Sequence, residues 1–136
     1  MTNSHSAMDY FAAKLAYQMS PEDLDDAQLL GAAPIVVDTR SATAWSHSHI
    51  PYAVHIPAAE IGVRAPLDIP DEDADIVVYS WGLGSVDAAR AALTLIRLGY
   101  TRVRELSGGF EGWEGHGFAV ETAERDPFAF TDSLAG

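Results

Sequence analysis

Short apolar runs alternate with stretches of helical periodicity along the chain, and turn residues separate them. The runs PIVVDT at 34–39, IVVY at 76–79 and RVREL at 102–106 are rich in β-branched residues and predict strands, the first two buried. Between them the apolar spacing changes to that of helices. Over 9–19, Phe11, Leu15 and Met19 recur every fourth residue with Tyr10 and Tyr17 beside them, which predicts an amphipathic helix. Ser20-Pro21-Glu22-Asp23 reads as an N-cap, a proline at the first helical position and acids in the first turn, so a second helix is expected over 21–30, ended by Gly31. Ser41 caps a short helix through Trp45, and HIPYAVHIP returns as a brief extended segment. One helical turn is expected over 58–63, and the proline- and acid-rich APLDIPDEDAD as a solvated connector. An alanine-rich helix follows over 86–98, closed by Gly99, and a last short helix lies around 110–114.

Strands separated by helices imply an α/β domain with a central parallel sheet flanked by helices on both faces. Ligands of such open sheets sit beyond the carboxyl ends of the strands, where this chain places Asp38, Arg40 and Ser80.

Composition narrows the classes of function. Of 136 residues, 48% are hydrophobic, enough for one domain to bury a core without disulfide or metal support. The formal charge of −12 repels nucleic acid and anionic membrane. No basic segment followed by an apolar core opens the chain, and no apolar run approaches the roughly 20 residues that span a bilayer. A soluble, cytoplasmic protein is expected. Cysteine is absent altogether, which excludes disulfides, thiolate metal sites and thiol nucleophiles.

Four separated segments, VVDTRSATAW, SHIPYAVHIP, VVYSWGLGS with AARAALTLIRLGY, and VRELSGGFEGWEGHGFAV, together resemble the rhodanese homology domain over about 20–120. DYFAAKLAYQMSPEDL is similar to a helical extension that precedes this domain in one group of single-domain members. The resemblance divides the chain into an extension at 1–19, the domain at 20–121 and a tail at 122–136 that carries Phe128 and Phe130. It implies sulfurtransferase ancestry: in active members a cysteine ends the fourth strand and carries a persulfide sulfur. Ser80 stands at that position. In a subgroup whose loop reads Cys-Trp-Gly-x-x-Cys, Trp81 and Gly82 match and Ser85 takes the place of the second cysteine. Two readings stay open: a lineage that lost sulfur transfer, or a sulfurtransferase whose thiol positions 80 and 85 have been replaced by serine.

A serine hydroxyl needs an adjacent general base to act as a nucleophile, and no Gly-x-Ser-x-Gly elbow surrounds Ser80. A triad with distant His49 or His55 is the weaker alternative. The related phosphatases need an arginine where Val86 stands. The loop from Trp81 through Gly82, Leu83, Gly84, Ser85 and Val86 keeps backbone N–H groups leading into a helix, which suits a small anion, although it contains no Lys or Arg. The bland alternative is a solvated turn.

Asp38 and Arg40 match an Asp-x-Arg element and are expected to form a structural, bidentate pair supporting the pocket. His49 is expected as a buried hydrogen-bonding group; His47, His49 and His55 show no metal-ligand spacing, and neither metal nor other cofactor is implied. Ser48 and Tyr52 replace glycines of the resembled pattern, so a positive φ at either introduces strain, while Tyr52 is also a candidate cover for the pocket. Gly108, Gly109 and Trp113 read as a turn and a core anchor, and Trp81 as either a cleft wall or ordinary core. The reading that follows is a rhodanese-like domain unable to transfer sulfur as it stands. It would act as a binding or regulatory module whose partner at the Ser80 loop is a small anion, a sulfur donor or acceptor, or a protein.

Overall fold

The computed structural model describes residues 2–123. In chain order the elements are α1 (Thr2–Ala16), β1 (Gln18–Met19), α2 (Pro21–Leu29), β2 (Ile35–Asp38), α3 (Ala42–His47), β3 (Val54–His55), a 3-10 turn (Ala58–Glu60), α4 (Ile61–Asp68), β4 (Asp75–Tyr79), α5 (Asp87–Arg97), β5 (Arg102–Leu106) and α6 (Gly109–Gly115). The five strands form one parallel sheet in the order β1-β5-β4-β2-β3.

Strand side chains alternate between faces, and here both faces are covered. Val37, Ile76, Val78 and Val103 pack with Ile61, Ala65, Ala91 and Leu95 of α4 and α5. On the other face Val36, Val77, Tyr79 and Leu106 meet Leu24 of α2 and Phe110 and Trp113 of α6. Four consecutive residues of β4, Ile76 to Tyr79, are fully buried, which explains their unbroken apolar run. Ser20 caps α2 by accepting from Asp23 N, and Ser41 caps α3 by accepting from Ala44 N. Trp113 anchors α6 and donates from Nε1 to the Ala119 carbonyl at 2.9 Å. His116 clips the end of α6 to the start of α2, 2.8 Å from Glu22. The Gly112 carbonyl that accepts from its ring, and then Glu22, push the His116 pKa up.

Three expectations are corrected. The first helix lies at Thr2–Ala16 and ends before Met19, because Gln18 and Met19 pair with Glu105 and Leu106 of β5 and sheet pairing overrides helical spacing. The single turn at 58–63 is a 3-10 turn followed by α4, which continues through Pro66 into the supposed solvated connector. Proline removes one ladder N–H, but Ile61, Ala65 and Ile69 recur every fourth residue and are all buried, so tertiary packing offsets the lost bond. Tyr100 closes this helix by donating from its hydroxyl to the Ala65 and Ile69 carbonyls. The third correction concerns Tyr52, which does not cover the Ser80 loop. Its ring is exposed and borders a different, apolar groove formed by Pro34, Ile35, Val54 and Ile69. Its φ of 66° shows why glycine suits that position, whereas Ser48 is extended and needs none. The tail expected at 122–136 has Phe128 and Phe130 outside the described residues.

No helix among the described residues is long and apolar enough to cross a membrane.

Candidate functional site

Ser80 follows the last residue of the central strand β4 and is buried. Two neighbours hold the backbone there. Thr39, just past β2, donates to the Tyr79 carbonyl from both its N–H (3.0 Å) and its hydroxyl (2.9 Å). The first turn of α6 approaches from the other side, with Phe110 N donating to the Ser80 carbonyl and Glu111 N to the Trp81 carbonyl, each at 2.8 Å. That approach depends on Gly109, whose φ is 58° and whose absent Cβ would lie 2.7 Å from Gly82 N and from Ser80 O. Gly109→Ala is expected to destabilise the chain by roughly 2–3 kcal/mol through left-handed strain and overpacking, and to shift the Ser80 loop. Urea unfolding read by tryptophan fluorescence checks both effects, and an unchanged midpoint would contradict the close approach.

The loop then turns back on itself. Ser85 N donates to the Gly82 carbonyl at 3.1 Å, and Ser85 Oγ donates to Ser80 Oγ at 3.2 Å. The two hydroxyls face a cleft of about 140 Å³ whose walls include Gln18, Gly82, Glu105 and Ser107. Leu83 and Gly84 also border it, with Leu83 95% exposed, while Val86 stands outside as the half-exposed residue before α5. Among the described residues no Lys or Arg lines the cleft, and Glu105 puts a carboxylate on its wall.

Asp38 and Arg40 form the expected bidentate pair, both side chains fully buried. Arg40 donates from Nη2 to Oδ2 (2.8 Å) and from Nε to Oδ1 (3.1 Å), and its backbone N–H donates to Oδ1 (2.8 Å). Nη2 also donates to the Ser48 carbonyl at 2.6 Å. The Tyr79 hydroxyl donates to Asp38 Oδ2 at 2.6 Å and accepts from Ile50 N at 3.1 Å. Burial first, and then the Asp38 charge and its hydrogen bond, push the Tyr79 pKa far up, so the phenol keeps its proton and remains a donor. Nη1 is buried without a hydrogen-bond partner among the described residues, and the guanidinium lies against Phe110 (4.2 Å to the ring centre) and Trp81 (4.6 Å). Trp81, 47% exposed, is neither ordinary core nor a wall of the Ser80 cleft: it lies over Arg40 with one face and leaves the rest to solvent.

His49 belongs to a separate structural cluster. It stacks on Trp45 with centres 3.5 Å apart, donates from Nδ1 to the Trp45 carbonyl at 2.8 Å, and lies 3.8 Å from Glu121 through Nε2. His55 donates from Nε2 to the Arg40 carbonyl at 2.8 Å. Neither histidine lines the Ser80 cleft, so among the described residues a serine triad finds no imidazole there. Among the described residues no group of His, Cys, Asp and Glu is placed to hold a metal ion.

The structure therefore brings together Ser80, Gly82, Leu83, Gly84 and Ser85, sets Trp81 over Arg40 and its partner-bound guanidinium, and leaves Val86 and His49 aside. Sequence reasoning missed Gln18, Glu105 and Ser107. The carboxyl-end rule that found Ser80 extends to the end of β5, but nothing in the sequence marked β1 as a strand.

The model of the rhodanese-like domain matches residues 20–116. A thiosulfate sulfurtransferase GlpE of Actinobacillus pleuropneumoniae is 32% identical over 88 residues, covering 65% of this chain and 78% of that protein. The BH2092 protein of Bacillus halodurans has a solved structure that superposes with a TM-score of 0.77 at 33% identity, over 88% of this chain and 87% of that one. A structure described as rhodanese with anions from E. coli superposes with a TM-score of 0.53 at 28% identity, over 59% of this chain and 91% of that one. A parallel sheet with helices on both faces, a loop turning at the end of its fourth strand and the match over 20–116 lead to one statement: this chain belongs to the rhodanese-like domain family, with serine and no cysteine at that loop.

Proposed function

We propose that this protein is a rhodanese-like binding or regulatory module that does not transfer sulfur. Its Ser80 loop receives a small oxyanion or thiosulfonate, or a protein partner presenting such a group. The observation that carries this reading is the Ser80–Ser85 hydroxyl pair, 3.2 Å apart in the cleft, in a chain with no sulfur nucleophile to take its place. Two hydroxyls beside a glycine-bearing turn offer donors to an oxyanion, and a relative described as binding anions supports that class of ligand. The rim of Leu83, Val86 and Trp81 is apolar and exposed, which suits contact with a protein surface around the polar slot.

Glu105 on the cleft wall, with no Lys or Arg lining it among the described residues, sets the affinity low. Calorimetric titration with thiosulfate and with sulfate is expected to give saturable binding with a Kd in the millimolar range, worth about 4 kcal/mol. Thiosulfate and cyanide are expected to yield no thiocyanate with this chain. Turnover by the pure, unaltered protein would overturn the reading, and so would the absence of saturable binding by both anions and by any partner blocked by Leu83→Asp.

A second reading is a thiosulfate or persulfide sulfurtransferase whose two thiols have been replaced by serine. The same hydroxyl pair favours it, because Ser80 and Ser85 face one another as an accepting and an accessory thiol would. Restored turnover in a chain carrying both Ser80→Cys and Ser85→Cys is its expected result.

A further inference from the structure

We infer that α1 is a self-association element: two copies of this chain pair through their N-terminal helices, antiparallel, to form a weak symmetric dimer. α1 stands off the domain. Every residue over 6–17 is exposed, including Met8 (69%), Phe11 (59%) and Leu15 (81%). A helix of 15 residues is at the edge of stability in water by itself, and helices in proteins persist mainly by packing an apolar face. This one has such a face, and its residues over 6–17 are left exposed by the rest of the chain.

Met8, Phe11, Ala12 and Leu15 follow the i, i+3, i+4, i+7 spacing, so they form one stripe. The stripe is its own complement under a two-fold axis. An antiparallel pair centred between Phe11 and Ala12 brings Met8 of one copy level with Leu15 of the second, and sets the two Phe11 rings beside the axis. Charge points to the same occupant. α1 contains one acid, Asp9, and one base, Lys14, so the whole net charge of −12 lies outside it. Pairing through α1 uses the uncharged segment as the seam and keeps two acidic domains apart. A lipid surface fits less well, since an interfacial helix carries a basic polar face that this helix lacks.

The area sets the strength. Large aromatic rings contribute roughly 150–250 Å² each when buried. Phe11, with Met8, Leu15 and the neighbouring Tyr10, therefore exposes several hundred Å² per copy, short of the about 800 Å² per partner of a standard interface. A weak, reversible dimer follows. Gln18, two residues beyond the end of α1, is a wall of the Ser80 cleft, so pairing also steadies that wall.

Sedimentation equilibrium of the full chain over micromolar to millimolar loading tests the inference. The expected result is a reversible monomer–dimer equilibrium, weakened on the order of a hundredfold by Phe11→Glu and by Leu15→Glu, each of which buries a charge at the seam. Both side chains are exposed and lie outside the domain core, so the melting temperature of the monomer is expected to stay unchanged. Three outcomes would overturn it: a monomer at every concentration, dimers that form equally tightly in both variants, or co-pelleting with phosphatidylcholine–phosphatidylserine vesicles in place of dimerisation.

Discussion

Asp38→Asn is expected to lower stability by about 3–5 kcal/mol, the cost of leaving a buried charge without its partner. The Arg40 guanidinium is fully buried, and its carboxylate partner also receives the Arg40 backbone N–H and the Tyr79 hydroxyl. Neutralising Asp38 strands the cation between Phe110 and Trp81 and puts an amide NH2, a donor, where one of two accepting carboxylate oxygens stood. A loss of that size is a large share of the roughly 5–15 kcal/mol that holds a domain of ordinary stability together. Urea unfolding followed by circular dichroism gives the number. The double variant Asp38→Leu with Arg40→Met is expected to lose less, because an apolar pair replaces the ion pair and leaves no orphaned charge. If Asp38→Asn unfolds within about 1 kcal/mol of the parent, solvent reaches Arg40 and the pair is not the anchor it forms here.

Ser80→Cys is expected to produce the largest change in chemistry. A thiol at the carboxyl end of β4 sits beside the Ser85 hydroxyl and the turn that leads into α5, which favour the thiolate, while burial and Glu105 oppose it. With thiosulfate, the thiolate sulfur attacks the outer sulfur. The new S–S bond forms as that of thiosulfate breaks, and sulfite leaves with the electron pair. Mass spectrometry should show a gain of one sulfur atom by the variant and none by the parent chain. Uptake is expected to be slow, since Glu105 opposes the dianion and no cation lines the cleft among the described residues. Failure of the variant to take up sulfur, together with failure to bind sulfate, would show that the loop has lost its cradle as well as its reactive atom, and would remove the anion from the proposed function.

Much of the architecture was legible along the chain because it rests on local rules. Buried strands read as β-branched runs, and the caps Ser20 and Ser41 read from their hydroxyls and the residues after them. The Asp38–Arg40 pair was legible from two residues, two positions apart, at the end of a strand. β1 was not, because two residues become a strand only where β5 pairs with them. The run of α4 through Pro66 was masked by a local rule that packing overrode, although the spacing of Ile61, Ala65 and Ile69 already carried its signal.

At the site the division is sharper. The sequence by itself determined which atoms are present: two hydroxyls at 80 and 85, no sulfur, and a glycine-bearing turn after an apolar strand. The tertiary structure alone decided what surrounds them. Gln18, Glu105 and Ser107 reach the cleft from strands remote in sequence, Trp81 lies over Arg40, and the histidines are drawn away to Trp45 and the Arg40 carbonyl. The reason is physical: bonding and capping act within a few residues, whereas the neighbours of a parallel strand come from whichever segments the sheet order sets beside it.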